Sequence, residues 1–424
     1  MKHIKALCFI IFFIPIFSLR ALDINNSFYG SVTDYILAIN GIDSNQGLTT
    51  LPILSIPMGG RSEGLATAFA AVADDASYLE WNPAGSSMLA NTELSFYHNN
   101  WIADSKIEGL VYTQRFGNLG IGAGGKWLYL PFTEYNDFGD RASKGFYSEA
   151  VGILNASYNL FSGYYFTGLS LGINVKTAIR LVPDYSNDRG AIIPGSGASQ
   201  STIAPMIDLG ALSRFNFLKF YYSRERNSSV ALVVKNLGFP AQGDPLPTEA
   251  VLGIAYKPIR PIQWSFDYTV PINLSDPALS EQPYWATGLS AQITDFLGMR
   301  TGLLFKSGNI RITMGSAVLV DTILVDINYT LDLLTQLQPL NRVSVGAKFN
   351  FGDQGRGERA KKVEALYLAG LEAYAKGETD VAIQNWEAAL KLDPRYDPAK
   401  EGLKALLGAE ALSKRILEIQ RIEQ

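Results

Sequence analysis

The chain is nearly without cysteine and histidine: 424 residues hold only Cys8, His3 and His98. One thiol can build neither a disulfide framework nor a thiolate metal site. Charge is also scarce, at 18% Asp, Glu, Lys and Arg with a formal net charge of −4. No basic field therefore points to nucleic acid. Past the N-terminus there is no run of 18 apolar residues, so no spanning helix is expected. Yet the chain is 47% hydrophobic, with 39 Gly and 21 Tyr. That is apolar for a soluble protein, and the hydrophobicity is spread thinly and periodically.

The periodicity is two. In Ser344-Val345-Gly346-Ala347-Lys348-Phe349-Asn350-Phe351, Val345, Ala347, Phe349 and Phe351 share one face and the polar residues the other. Such alternation fits a strand with one face in hydrocarbon and one in a polar lumen. About fourteen segments between Thr92 and Phe351 repeat it. Tyr165, Thr167, Leu169, Leu171, Ile173, Val175, Thr177, Ile179 and Leu181 oppose Gly168, Ser170, Asn174, Lys176 and Arg180. Ile262, Trp264, Phe266, Tyr268 and Val270 oppose Gln263, Ser265, Asp267 and Thr269. The expected fold is an all-β transmembrane barrel of about fourteen antiparallel strands in an outer membrane. The alternative is a soluble β-sandwich or large soluble barrel, with one face of each strand in a core.

Connector lengths predict orientation. Short connectors at Gly117-Asn118, Ser162-Gly163, Ile259-Arg260 and Asp295 alternate with long ones at Pro131–Lys144, Val182–Ser201, Pro271–Gln282 and Asp332–Leu340. Short turns of such barrels face the periplasm and long loops the exterior. Arg214–Asn227 breaks the scheme, being long on the short-turn side, and Phe217, Leu218, Phe220, Tyr221 and Tyr222 suggest an interfacial element there. Trp127, Tyr129, Tyr256, Trp264 and Trp285 are expected near strand ends, as an aromatic girdle requires.

Residues 1–21 read as a secretory signal peptide: Lys2 and Lys5, an apolar run from Ala6 to Leu19, and cleavage after Ala21. Its removal takes Cys8 with it. Residues 22–91 lack alternation and contain the apolar stretch Gly64–Val72, so they are either a plug for a lumen too wide to fill itself or a small periplasmic prefix. The barrel covers 92–351. Residues 352–362, with Gly352, Gly355 and Gly357, read as a flexible linker. In the charged tail 363–424, Gly370, Gly377, Ala382, Trp386, Ala389 and Pro394 match the tetratricopeptide-repeat spacing. A small all-α repeat domain is expected, with Gly370, Ala382, Trp386, Ala389 and Pro394 packing the pair. Capping helices are expected at Pro398–Leu407 and Glu410–Ile422, with an unknown periplasmic protein as partner.

Ala71-Val72-Ala73-Asp74-Asp75-Ala76-Ser77 followed by Trp81-Asn82-Pro83-Ala84-Gly85 resembles the hatch motif of the FadL/TodX family of outer-membrane long-chain fatty acid and hydrocarbon transporters. It is also similar to the related PorV branch, which serves protein secretion and surface attachment. The resemblance covers roughly residues 60–351, and Ser344–Phe351 resembles the closing-strand signal read by the barrel-assembly machinery. The FadL/TodX resemblance implies a fourteen-stranded barrel, with Asp74, Asp75, Asn82, Pro83 and Ala84 in an N-terminal plug. It implies a hydrophobic ligand, with long-chain fatty acid expected, leaving sideways through a gap in a kinked third strand. Here that strand is expected at Leu119–Leu130. Gly120, Gly122, Gly124 and Gly125 would open the gap, with Asn82-Pro83-Ala84 packed nearby. The tail departs from those transporters.

In the lumen, Lys126, Lys176, Arg180, Arg300 and Lys306 are candidates for holding a carboxylate; Asp208, Asp267 and Asp326 are the acids that could neutralise them. No enzyme is expected. After signal removal His98 is the one imidazole, read as a polar residue at the membrane edge. Asp74-Asp75 has no further acids at calcium-loop spacing, and the Gly120–Gly125 run lacks the Lys-Ser/Thr of a phosphate cradle. No cofactor and no metal are expected.

Overall fold

The computed structural model describes residues 48–408 except 103, 136–137, 187–190, 224 and 334–339. The expected signal peptide, the plug before residue 48 and the capping helix Glu410–Ile422 lie outside the described residues. By its contacts the chain divides into two units, Met1–Tyr158 with Ser170–Phe351, and Asn159–Leu169 with Gly352–Gln424.

The strands are β1 (Glu93–Asn100), β2 (Lys106–Phe116), β3 (Leu119–Tyr135), β4 (Arg141–Leu160), β5 (Leu169–Leu181), β6 (Thr202–Phe215) and β7 (Ser228–Gly238). They continue as β8 (Thr248–Ile259), β9 (Ile262–Ile272), β10 (Tyr284–Thr294), β11 (Leu297–Lys306), β12 (Asn309–Val320), β13 (Ile323–Asp332) and β14 (Leu340–Asn350). Each pairs with its chain neighbours, and β1 closes on β14 from Glu93↔Asn350 to Asn99↔Ser344. The barrel has no free edge, and its closing strand β14 includes Ser344–Asn350 of the expected segment, starting earlier at Leu340 and ending before Phe351.

The pleat places apolar residues outside and polar residues inside. On β5, Leu171, Ile173 and Val175 are exposed while Ser170, Asn174 and Lys176 are buried. On β14, Val343 and Val345 are exposed while Arg342, Ser344 and Lys348 are buried. A soluble sandwich would bury the apolar file, so this arrangement decides between the two expected folds.

Residues 48–91 pack against the inward face of the wall. They fold as short pieces: a 3-10 turn at Pro52–Ser55, α1 (Gly60–Gly64), α2 (Tyr78–Trp81) and a 3-10 segment at Pro83–Met88. Leu51, Ile53, Met58, Leu65, Phe69 and Leu79 are fully buried in a core shared with inward wall residues such as Ile107, Val111 and Leu212.

Several boundaries differ from expectation. β5 starts at Leu169, not Tyr165, because Phe161 (φ 55°) and Gly168 (φ 102°) turn the chain. That connection is therefore longer than Ser162-Gly163. Most of Pro131–Lys144 is strand, with β3 and β4 still paired at Thr133↔Lys144. The β5–β6 connection carries a one-turn helix, α3 (Ser196–Gln200). Arg214 and Phe215 belong to β6, and the described residues of 216–227 form no regular element.

The expected girdle is also redistributed. Trp127, Tyr129, Tyr256, Trp264 and Trp285 all lie on outward files, but Trp127 stands midway along the extended β3. Trp264, Phe266, Trp285 and Phe305 stack in series at 6.2, 6.3 and 5.7 Å across β9, β10 and β11.

In the second unit α4 (Arg356–Ala375) and α5 (Thr379–Leu392) form a helical pair, and residues 397–408 are also helical. The expected linker at 352–362 is thus shorter, since α4 begins at Arg356. Asp353 starts it, accepting from Gly355 N at 3.0 Å and Gly357 N at 2.6 Å. Trp386 is buried between the helices with Ala382 and Ala389. A Cβ on Gly370 would stand 2.3 Å from Trp386 Nε1 and one on Gly402 3.0 Å from its ring, so both glycines serve close approach. Pro394 follows the end of α5, as expected.

Candidate functional site

The inward face of the wall is small or polar where the plug touches it. A Cβ on Gly120 would lie 2.1 Å from the Ser86 carbonyl carbon, one on Gly172 2.3 Å from that of Pro83, and one on Gly210 2.3 Å from Asn82 Oδ1. Plug backbone thus rests directly on strand backbone. Side chains then take the plug's polar groups. Asn155 Nδ2 donates to Pro83 O at 2.9 Å, Ser170 Oγ to Ala84 O at 2.6 Å, and Asn174 Nδ2 to Leu79 O at 2.9 Å. Phe69 N and Ala70 N both donate to Asp267 Oδ2, at 2.9 and 2.8 Å. A segment this irregular can be buried only if its backbone groups find such partners.

The hatch-motif residues are structural members of this assembly. Asn82 is fully buried, donates to Ala70 O at 2.7 Å, and accepts from Ala84 N at 2.9 Å, capping the 3-10 segment that Pro83 opens. Asp75 accepts from Ser77 N at 2.9 Å and pairs with Lys348 of β14 at 2.7 Å. Asp74 pairs with Arg61 at 2.6 Å, and Arg61 also reaches Gln263 at 2.7 Å. Asp74 and Asp75 thus face different cations rather than each other.

Two further plug acids pair with the wall. Glu80 meets Lys126 at 2.6 Å and Glu63 meets Arg342 at 3.0 Å. With Asp75–Lys348 this makes three plug-to-wall ion pairs, all with side chains under a tenth exposed. Removing one partner of a buried pair typically costs ~3–5 kcal/mol, because it strands the other charge.

The five lumen cations are therefore not equivalent. Lys126 is committed to Glu80 and to Ile56 O. Lys176 pairs with Asp208 at 2.6 Å and Arg300 with Asp326, so two of the acids named above do neutralise cations. Asp267 instead holds plug amides. Arg180 bonds Gln200 O, Thr50 Oγ1 and Gln242 Oε1. Lys306 lines a pocket of about 150 Å³ at one end of the barrel, and Lys126 borders a second concavity beside β3. The neighbours of Lys306 in its pocket include Leu48, Leu246, Pro271, Ile272 and Leu279. Its ammonium lies 2.9 Å from Glu281 and 4.8 Å from the Tyr284 ring centroid.

The expected gap at the third strand is absent. β3 pairs with β2 without a register shift from Lys106↔Tyr129 to Phe116↔Leu119, and with β4 across the whole glycine run. The single shift on β3 falls at Glu134/Tyr135. Asn82-Pro83-Ala84 packs against Gly172 and Gly210, not against Gly120–Gly125; Gly120 meets Ser86–Ser87 and Gly122 meets Tyr78 Oη. Gly120, Gly122 and Gly124 give room to Ser86–Ser87, Tyr78 and Leu79, and Gly125 faces Val151 of β4. Gly124 and Gly125 do line a concavity of about 690 Å³ with Phe96, Leu110, Trp127 and Val345, residues of the outward face. His98 borders it, 2.8 Å from Glu108 Oε1 and 3.2 Å from Asn100 Oδ1.

Sequence reasoning did not single out Glu63, Glu80, Arg342 and Lys348 as plug contacts. The available signal was weak: an acid in the irregular segment and a cation on an inward strand position. Strand alternation does assign Lys348 to the lumen, but nothing in it chooses Asp75 as the partner.

A family model described as "Uncharacterised protein family (UPF0164)" matches residues 38–354. A UPF0164 protein of Treponema pallidum (strain Nichols) is 29% identical over 367 residues, covering 82% of this chain and 80% of that protein. A second from the same organism is 25% identical over 383 residues, covering 86% and 76%. Among solved structures, the P. putida toluene transporter TodX is similar over 66% of this chain and 94% of that one, with 12% identity and a TM-score of 0.43. CdiB from Acinetobacter baumannii covers 62% of this chain and 60% of that one at 10% identity, with a TM-score of 0.38.

Proposed function

We propose that this chain, which belongs to the uncharacterised protein family UPF0164, is an outer-membrane channel for hydrophobic small molecules, with long-chain fatty acids the leading candidates. The observation that carries the reading is a closed barrel with an apolar exterior, with residues 48–91 packed against its inward face.

Capture is assigned to the pocket beside Lys306. Its volume is below the ~300 Å³ at which ligand pockets usually begin, so it suits one end of a ligand and not a whole chain. An incoming carboxylate would compete with Glu281 for the ammonium while the first methylenes contact Leu246, Ile272 and Leu279. Each CH₂ leaving water contributes about 0.8 kcal/mol, so a uniformly apolar path would trap the ligand. A polar lumen avoids that trap. Passage follows movement of the plug, since the β3 ladder offers no lateral opening.

The test is uptake of radiolabelled oleate into vesicles containing the refolded full chain. Wild type should accumulate label, and Lys306→Met should reduce uptake of oleate but not of an uncharged hydrocarbon. Equal loss for both ligands removes Lys306 as the carboxylate contact; no uptake of either removes the channel reading.

A second reading is a platform for exported proteins, with the helical tail as a tetratricopeptide-type module in the periplasm. It is favoured by Leu368 and Val381, which are exposed on the helices that pack Trp386. Retention of a periplasmic protein by the full chain, without lipid uptake, supports it.

A further inference from the structure

The β6–β7 connection inverts the usual construction of a surface loop. Phe217, Leu218, Phe220 and Tyr222 are exposed, Tyr222 at 95%. Side chains take several of the loop's backbone groups. Asn227 accepts from Phe217 N at 2.9 Å and donates to Phe217 O at 2.7 Å. Tyr256 Oη donates to Leu218 O at 2.8 Å, and Arg260 donates to Tyr222 O. Lys219 Nζ donates to Ser223 O and to Glu225 O, each at 2.5 Å. A loop standing in water can leave its carbonyls to solvent and turn apolar side chains inward. Backbone at the margin of hydrocarbon gains from such internal partners and can leave apolar side chains outside.

The loop also lies on the outer side of the wall. Tyr256 belongs to the outward file of β8 with exposed Leu252 and Ile254, and its ring centroid is 6.5 Å from that of Phe217. The apolar side chains of the loop thus continue the exterior belt. The cationic Lys219 and Arg260 sit at the same level, as in segments where aromatic and basic residues meet lipid headgroups.

We propose that residues 216–227 form a membrane foot whose Phe220 and Tyr222 insert into the headgroup–acyl boundary of the leaflet at the short-turn end. Its occupant is membrane lipid. This inference rests on the barrel spanning a membrane, and the test separates the two.

Nitroxide labels are placed at Phe220→Cys and Tyr222→Cys in the full chain with Cys8→Ser, reconstituted in phosphatidylglycerol–phosphatidylcholine vesicles. Leu289→Cys on the outward face of β10 serves as lipid reference and Ser275→Cys in the β9–β10 connection as water reference. Collisions with oxygen and with a nickel chelate are then compared. The foot predicts oxygen contact at 220 and 222 close to that at 289, with nickel contact several-fold below that at 275. Asn227→Ala should release the loop and raise nickel contact at 220 without changing it at 289. Nickel contact at 220 and 222 equal to that at 275 overturns the foot, as does shielding from both reagents. Nickel contact at 289 itself overturns the membrane reading.

Discussion

At the scale of single residues, function depends on what the inward positions lack. Gly120 and Gly172 leave room for the backbone of Ser86–Ser87 and Pro83–Ala84, and Gly210 for the side chains of Asn82 and Pro83. Overpacking of this kind costs about 1–3 kcal/mol when neighbours shift to accommodate it. Gly172→Ala should therefore loosen the plug while leaving the barrel closed, seen as raised ion conductance in planar bilayers with unchanged far-ultraviolet circular dichroism. Unchanged conductance would mean that the Pro83 backbone yields without cost. Lys348→Met is a harsher change, stranding Asp75 in the lumen at ~3–5 kcal/mol. It should lower the denaturant midpoint of the full chain, and Asp75→Asn added to it should recover part of the loss. No recovery would place the effect on β14 and not on the pair.

At the scale of elements, β3 carries the sharpest departure from expectation. Its four glycines resemble the makings of a kink, yet both ladders pass them in register. Amide hydrogen exchange at Gly122–Gly125 should accordingly be as slow as at Ile153–Asn155 on β4; fast exchange confined to the glycines would restore the lateral route. The start of α4 offers a gentler case. Hydrogen bonds from Gly357 N, then Gly355 N, hold the Asp353 carboxyl below its ordinary range against slight desolvation. A depressed carboxylate stabilises the fold above the unfolded-state pKa and loses that contribution as pH falls through the lower folded value. Helix content of the tail should thus be constant near neutrality and fray first at Arg356–Arg359 in acid, as followed by nuclear magnetic resonance of those amides. Fraying that begins elsewhere would assign the helix start to another cap.

How far these elements were legible in the chain follows from the range of each signal. Strand number and facing follow from period-two alternation, which is local, so Val345 and Lys348 could be assigned to opposite faces directly. Strand ends were less legible: Tyr165 and Thr167 alternate like strand residues, but Gly168 turns the chain with a positive φ that alternation does not report. That the residues before Glu93 are not barrel strands was legible as missing alternation. Their ion pairs with the wall were not, because Glu63 and Arg342 lie 279 positions apart and meet only when the barrel closes. The small residues Gly370 and Ala382 announced the packing around Trp386, since close helix approach demands them locally.

At the scale of the whole barrel, polar side chains are turned inward and apolar side chains outward, with residues 48–91 packed against the inward face. Carbene photolabelling from a lipid-soluble probe, read residue by residue along β5 in reconstituted vesicles, tests that arrangement most directly. The account predicts label on Leu171, Ile173 and Val175 and none on Gly172, Asn174 and Lys176. Uniform label along β5, or none on either set, would contradict it.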